Sequence, residues 1–158
     1  VATMARIAER ADEAFDHRGW TSELSELRMT DTDDPNSSIT DAMTQATARA
    51  VDELGIGTIL CISGSGFTVR SMARFRPSAR ILGLSSDERT VRQLTLSWGT
   101  IPLHLPEEGD LDSRVSAAIA VARDRGEVAA GELVGVLAGT DVRSRSTNAL
   151  RIERVPEA

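Results

Sequence analysis

The 158-residue chain carries eighteen arginines and no lysine against 24 acidic residues, for a net charge of −6. That balance argues against a nucleic-acid-binding surface, and the missing lysine rules out Schiff-base chemistry or a Walker-type phosphate loop. The single cysteine, Cys61, can form neither an internal disulfide nor a Cys-rich zinc site. No apolar run nears the roughly 20 residues of a membrane span, and Val1 to Ile7 has no signal-peptide core, so one domain in a reducing cytoplasm is expected.

Met4, Ile7, Ala8, Ala11 and Phe15 recur at helical spacing, which predicts a helix from Val1 to about Phe15 that starts in mid-pattern. Residues 19–38 lack periodicity and carry Asp31, Asp33, Asp34 and Pro35, so they read as a linker. From Ile39 the stripe Ile39, Ala42, Met43, Ala46, Ala50 and Leu54 predicts a second helix, stopped by Gly55 and Gly57. Thr58–Ile62 reads as a buried strand, followed by a Ser-Gly-Ser-Gly turn and a helix from Thr68 to Phe75. Arg80–Leu84 is the next strand, and Ser85-Ser86-Asp87 caps a helix through Leu96. Thr100–Leu105 is a third strand, which Pro102 consigns to an edge. Asp110 opens a helix that ends at Gly126, and Leu133–Ala138 and Ala149–Val155 are the last two strands. The alternation predicts a three-layer α/β/α fold with a five-stranded, mostly parallel mixed sheet, the final pair antiparallel.

The run Ser63-Gly64-Ser65-Gly66-Phe67-Thr68 is the foremost candidate site. It joins a strand to a helix N-terminus, where unpaired backbone N–H groups favour anions and hydroxyls can donate to phosphate oxygens. A plain capped turn is the alternative. A dinucleotide site is a rival: Gly64 and Gly66 supply two fingerprint glycines and Asp87 lies at a distance suited to a ribose, but Val69 stands where the third glycine belongs. His17 and His104 have no ligand pattern around them, so no metal site or His-based triad is expected. Glu107, Glu108, Asp110 and Asp112 crowd a helix start, where carboxylates suit the dipole. Arg143 and Arg145 lie on the hydroxyl-rich loop from Gly139 to Asn148. Loops at the carboxyl ends of strands converge in open α/β sheets, so the two arginines are candidates to close over a phosphate.

Taken together, Ser38-Ile39-Thr40-Asp41-Ala42, Ser65-Gly66-Phe67-Thr68 with Arg76-Pro77, and Val91-Arg92-Gln93-Leu94 leading to Trp98-Gly99 form an ordered set. Ala138-Gly139-Thr140 and Thr147-Asn148-Ala149-Leu150-Arg151-Ile152 complete it. From Ile39 to Val155 the chain resembles the C-terminal domain of the pyruvate kinases. The resemblance implies that residues 1–18 match the end of that enzyme's catalytic barrel, 19–38 a linker and 39–158 the regulatory domain. It implies a parent that transfers phosphate from phosphoenolpyruvate to ADP with Mg²⁺ and usually K⁺. The catalytic lysine, arginines and metal carboxylates would lie upstream, leaving no catalytic or metal residue in this piece. This domain would bind a phosphorylated effector, a sugar phosphate or a nucleotide monophosphate, and help to form a homotetramer. The effector-phosphate positions fall on Ser63, Ser65, Gly66 and Thr68, and the effector loop on Gly139 through Ser146, with Arg143 and Arg145. Members regulated by fructose bisphosphate often carry Lys where Gly64 stands and Arg where Trp98 stands. The alternative is a free-standing α/β protein that binds a phospho-ligand or dinucleotide.

Overall fold

The computed structural model describes residues 1–26, 35–106, 109–140 and 147–157. Its helices are α1 (Ala2–Glu13), α2 (His17–Glu26), α3 (Pro35–Leu54), α4 (Phe67–Ala73), α5 (Glu88–Leu94) and α6 (Leu111–Asp124). Its strands are β1 (Thr58–Ile62), β2 (Arg80–Ser85), β3 (Thr100–His104), β4 (Leu133–Ala138) and β5 (Ala149–Arg154). They form one sheet in the order β3-β2-β1-β4-β5. The first four are parallel, and β5 runs antiparallel to β4. The mixed α/β sheet read from the sequence is therefore the one observed, with Pro102 on the outermost strand.

Strand alternation divides the interior into two cores. Leu60, Ile62, Leu82, Leu84, Val134 and Val136 point to α6, where Val115, Ala118, Ile119 and Ala122 meet them. Ile59, Cys61, Ile81 and Leu137 point the other way, onto Val51 of α3, Val69 and Met72 of α4 and Leu94 of α5. Fully burying one such side chain is worth roughly 1.5–3 kcal/mol. Because both sheet faces are covered, β1 is buried at every position, with an apolar run from Ile59 to Ile62. The chain leaves β1 toward β2 and β3 on one side, then returns to place β4 on the other. The carboxyl ends of β1 and β4 thus flank the switch point, where ligands of open α/β sheets bind.

Three expectations are corrected. Residues expected as an irregular linker include α2, whose Leu24 and Thr21 are buried against the body; residues 27–34 lie outside the described ones. Helix α3 starts at Pro35, earlier than Ile39, consistent with the tolerance of proline at a first helical position, where its missing N–H is no loss. Its buried face is also a different one: Thr40, Thr44, Thr47, Ala48 and Val51 face inward, while Ile39 and Leu54 are exposed. The threonines can be buried because Thr44 and Thr47 donate to the carbonyls of Thr40 and Met43, one turn back. Helix α1 has the expected span, yet none of its residues is buried.

Candidate functional site

The turn after β1 is held from beneath. Ser63 N donates to Leu84 O at 2.9 Å, which extends the β1–β2 ladder by one residue. The Gly64 carbonyl then accepts from Thr90 Oγ1 at 3.0 Å and from Ser85 Oγ at 3.2 Å. Both donors come from the β2–α5 side, so this peptide is fixed with its oxygen inward. Gly66 follows at φ 72°, the left-handed region, as the N-cap of α4. A Cβ there would stand 3.0 Å from Leu94 Cδ2 and 3.2 Å from Thr90 Cγ2, so only glycine fits without displacement. Arg70 crosses the turn from α4 and donates to the Ser65 carbonyl at 3.1 Å. Ser65 is exposed and Ser63 half-buried, and neither side chain has a hydrogen-bond partner among the described residues.

Thr68 behaves otherwise. Unlike the two serines, Thr68 is buried and shares a 2.5 Å hydrogen bond with Thr147 Oγ1. Thr147 is itself buried, and its N–H donates to Thr40 Oγ1 at 3.2 Å. These bonds pin the end of the β4–β5 loop to α4 and α3. The two loops expected to converge are therefore joined through Thr68 and Thr147. The two ends of the loop are tied together by Thr140 and Asn148: Thr140 N donates to Asn148 Oδ1 at 2.9 Å and Asn148 Nδ2 to Thr140 Oγ1 at 2.8 Å. Arg143 and Arg145 lie outside the described residues.

A cation missed by the sequence reading sits at the same edge. Arg114, in the first turn of α6, is only 5% exposed and donates through Nη2 to Gly139 O at 2.5 Å. Its Nε has no partner, and no ion pair engages it among the described residues. Extending the β1–β4 register by two residues sets Gly139 beside Ser63. The signal was present in the sequence: Arg114 falls on the α6 stripe of Val115, Ala118 and Ala122, where an arginine is out of place without a ligand or partner. Nearby, Asp110 caps α6 by accepting from Ser113 N, which with the Arg114 charge holds its carboxyl below the usual range.

The dinucleotide reading loses its supports. Val69, at the third glycine position, is fully buried in the core. Asp87 caps α5, accepting from Arg89 N at 2.9 Å and Thr90 Oγ1 at 3.0 Å, and its carboxyl is held below the usual range by those bonds. Trp98 precedes β3 and so lies at the opposite end of the parallel sheet from the turn.

The family model for the pyruvate kinase alpha/beta domain matches residues 41–153. The chain belongs to the pyruvate kinase alpha/beta domain family. It is 31% identical to the pyruvate kinase of Geobacillus stearothermophilus over 158 residues, covering 99% of this chain and 26% of that relative. Against the pyruvate kinase of Lactobacillus delbrueckii subsp. bulgaricus it is 32% identical over 118 residues, 74% of this chain and 20% of the relative. A crystal structure of a pyruvate kinase from Cryptosporidium parvum superimposes with a TM-score of 0.80 at 19% identity, covering 97% of this chain and 29% of that one. The chain thus spans only 20% and 26% of the length of these two curated relatives, and the solved structure shares its fold. The turn, Arg114 and the threonine tie are features of a pyruvate kinase alpha/beta domain, placed at the switch point of its sheet.

Proposed function

We propose that this chain is the regulatory and oligomerisation domain of a pyruvate kinase, a cytoplasmic homotetrameric enzyme that transfers phosphate from phosphoenolpyruvate to ADP. The observation that carries the reading is the family match over residues 41–153, with relatives aligned along nearly the whole chain. Catalysis, and the Mg²⁺ and K⁺ it uses, would belong to a catalytic barrel elsewhere in the same protein. Among the described residues, no group of three or more His, Cys, Asp or Glu is placed to hold a metal.

In this reading the domain binds a phosphorylated small molecule, a sugar phosphate or nucleotide monophosphate, at the β1–α4 turn. Ser63 and Ser65 offer free hydroxyls, Gly66 lets the backbone approach, and Arg114 supplies a desolvated cation beside Gly139. Thr68 supports the site by holding the β4–β5 loop, which also carries Arg143 and Arg145. A charge-assisted hydrogen bond is worth roughly 1.5–3 kcal/mol, so losing two should weaken the ligand by on the order of a hundredfold or more. Calorimetry with sugar phosphates and nucleotide monophosphates on the full-length protein and its S63A/S65A variant tests this. Equal binding by both would place the site elsewhere. A coupled assay with phosphoenolpyruvate, ADP and Mg²⁺ should show turnover by the full-length protein and none by residues 1–158 alone.

A further inference from the structure

We propose that Ser85 and Thr90, which lie beneath the turn, are positioning residues that keep the Ser65 N–H facing outward as an anion donor. The inference rests on the reading of the β1–α4 turn as a phosphate site and names what sets its backbone. The two side chains are 2% and 4% exposed, yet both hydroxyls donate to one acceptor, the Gly64 carbonyl. Gly64 itself is exposed. Water could satisfy a carbonyl on so open a turn, so two interior hydroxyls serve its direction rather than its solvation. A trans peptide unit is planar, with C=O and N–H pointing opposite ways, and no described peptide bond is cis. Holding Gly64 O inward therefore sends the Ser65 N–H outward, on the side of the exposed Ser65. That N–H has no hydrogen-bond partner among the described residues, whereas the Ser63 N–H is spent on Leu84 O.

The two donors are not equivalent. A hydroxyl has one proton to give. Ser85 Oγ accepts from Asp87 N at 3.2 Å, which leaves its proton for Gly64 O. Thr90 Oγ1 stands 3.0 Å from Gly64 O and 3.0 Å from Asp87 Oδ2, so the carbonyl competes with a carboxylate for its proton. A charged acceptor holds a hydrogen bond more strongly than a neutral one, which makes Ser85 the constant donor and Thr90 the shared one. Among the described residues no third group donates to Gly64 O. With both hydroxyls gone the peptide is free to rotate, and a turned peptide offers a bound anion its carbonyl in place of an N–H.

The test uses the full-length protein and the variants S85A, S85A/T90V and S85A/T90S. Thr90→Val removes the hydroxyl and keeps the methyl group that faces Gly66, while Thr90→Ser does the reverse. Calorimetric titration with glucose 6-phosphate and with adenosine monophosphate reads affinity, and thermal unfolding reads stability separately. Loss of one charge-assisted bond predicts roughly ten- to hundredfold weaker binding by S85A/T90V. S85A should lose about three- to tenfold, since Thr90 is shared, and S85A/T90S should match S85A. A double variant S85A/T90V that binds as the parent does, whatever its melting temperature, overturns the proposal, because the hydroxyls then only stabilise the fold. S85A/T90S as weak as S85A/T90V would also overturn it, since the Thr90 methyl group would be what matters. A parent that binds neither probe refutes the phosphate reading of the turn, and the positioning role falls with it. Should S85A/T90V not fold, S85A decides alone, and unchanged affinity there refutes the proposal.

Discussion

Gly64 and Gly66 are two residues apart on one turn, yet alanine should be accepted at the first and rejected at the second. At Gly66 the φ of 72° costs an L-residue about 1–2 kcal/mol. The new Cβ would also meet Leu94 Cδ2 at 3.0 Å and Thr90 Cγ2 at 3.2 Å, both on a buried helix face, and overpacking of that kind costs about 1–3 kcal/mol. Arg70 Nη1, at 2.9 Å, is the end of a flexible, exposed side chain and can move aside. The sum for Gly66→Ala is roughly 2–5 kcal/mol, a fall in melting temperature of about 5–15 °C for a chain of this size. At Gly64 an added Cβ meets nothing within 4 Å and the φ is not positive, so Gly64→Ala should stay within about 0.5 kcal/mol of the parent. Thermal and urea unfolding of both variants measure the difference. A Gly66→Ala protein as stable as Gly64→Ala would refute the geometry on which the site is built.

Three further outcomes follow from single contacts. Thr68→Val strands the buried Thr147 hydroxyl and should cost about 1–3 kcal/mol, whereas the double variant with Thr147→Val should cost no more than either alone in urea titrations. Cys61 is fully buried and its thiol is pushed up to about 12 by desolvation, so a thiol reagent at pH 8 should label it only in denaturant. Because the unfolded thiol ionises nearer 9, its contribution to stability should fall as pH rises from there toward 12. The N-cap carboxylates Asp87 and Asp110 are held below their usual range by backbone N–H bonds, so the unfolded state takes up protons first and stability should drop as pH falls below about 4. In D87N/D110N the amides still cap but do not titrate, and the acid limb of the stability curve should be shallower.

The sheet was legible because parallel strands covered on both faces write themselves as short apolar runs between turn residues. Thr58–Ile62 and Leu133–Ala138 are such runs, and Pro102 marks its strand as an edge because it cannot donate to a second neighbour. Helix α2 was not legible because little in residues 17–26 is periodic. Three of its contacts are hydrogen bonds from Trp20, Thr21 and His17 to carbonyls more than fifty residues away, which no local pattern records. Helix α1 shows the converse. Its apolar stripe was visible, but periodicity says only that a face seeks cover, and among the described residues no side chain buries it.

The site failed to be read where hydroxyls and charge took core positions. Thr40, Thr44 and Thr47 recur at i, i+4 and i+7, a helical stripe as regular as the apolar one beside it. Counting only apolar residues selected the wrong face of α3. The buried threonines have a consequence for the turn, since Thr40 Oγ1 accepts from Thr147 N and Thr147 Oγ1 meets Thr68 Oγ1. The end of the β4–β5 loop is therefore fixed to two helices by hydroxyls that an apolar core could not replace without leaving a buried N–H unpaired. Arg114 obeys the same logic on the opposite face of the sheet, where its position on an inner stripe sets a guanidinium against the first carbonyl beyond β4. A sequence pattern in which Thr and Arg occupy inward positions of otherwise apolar stripes thus marks the contacts that hold the candidate turn, and those contacts lie in the scaffold helices rather than in the glycine turn they position.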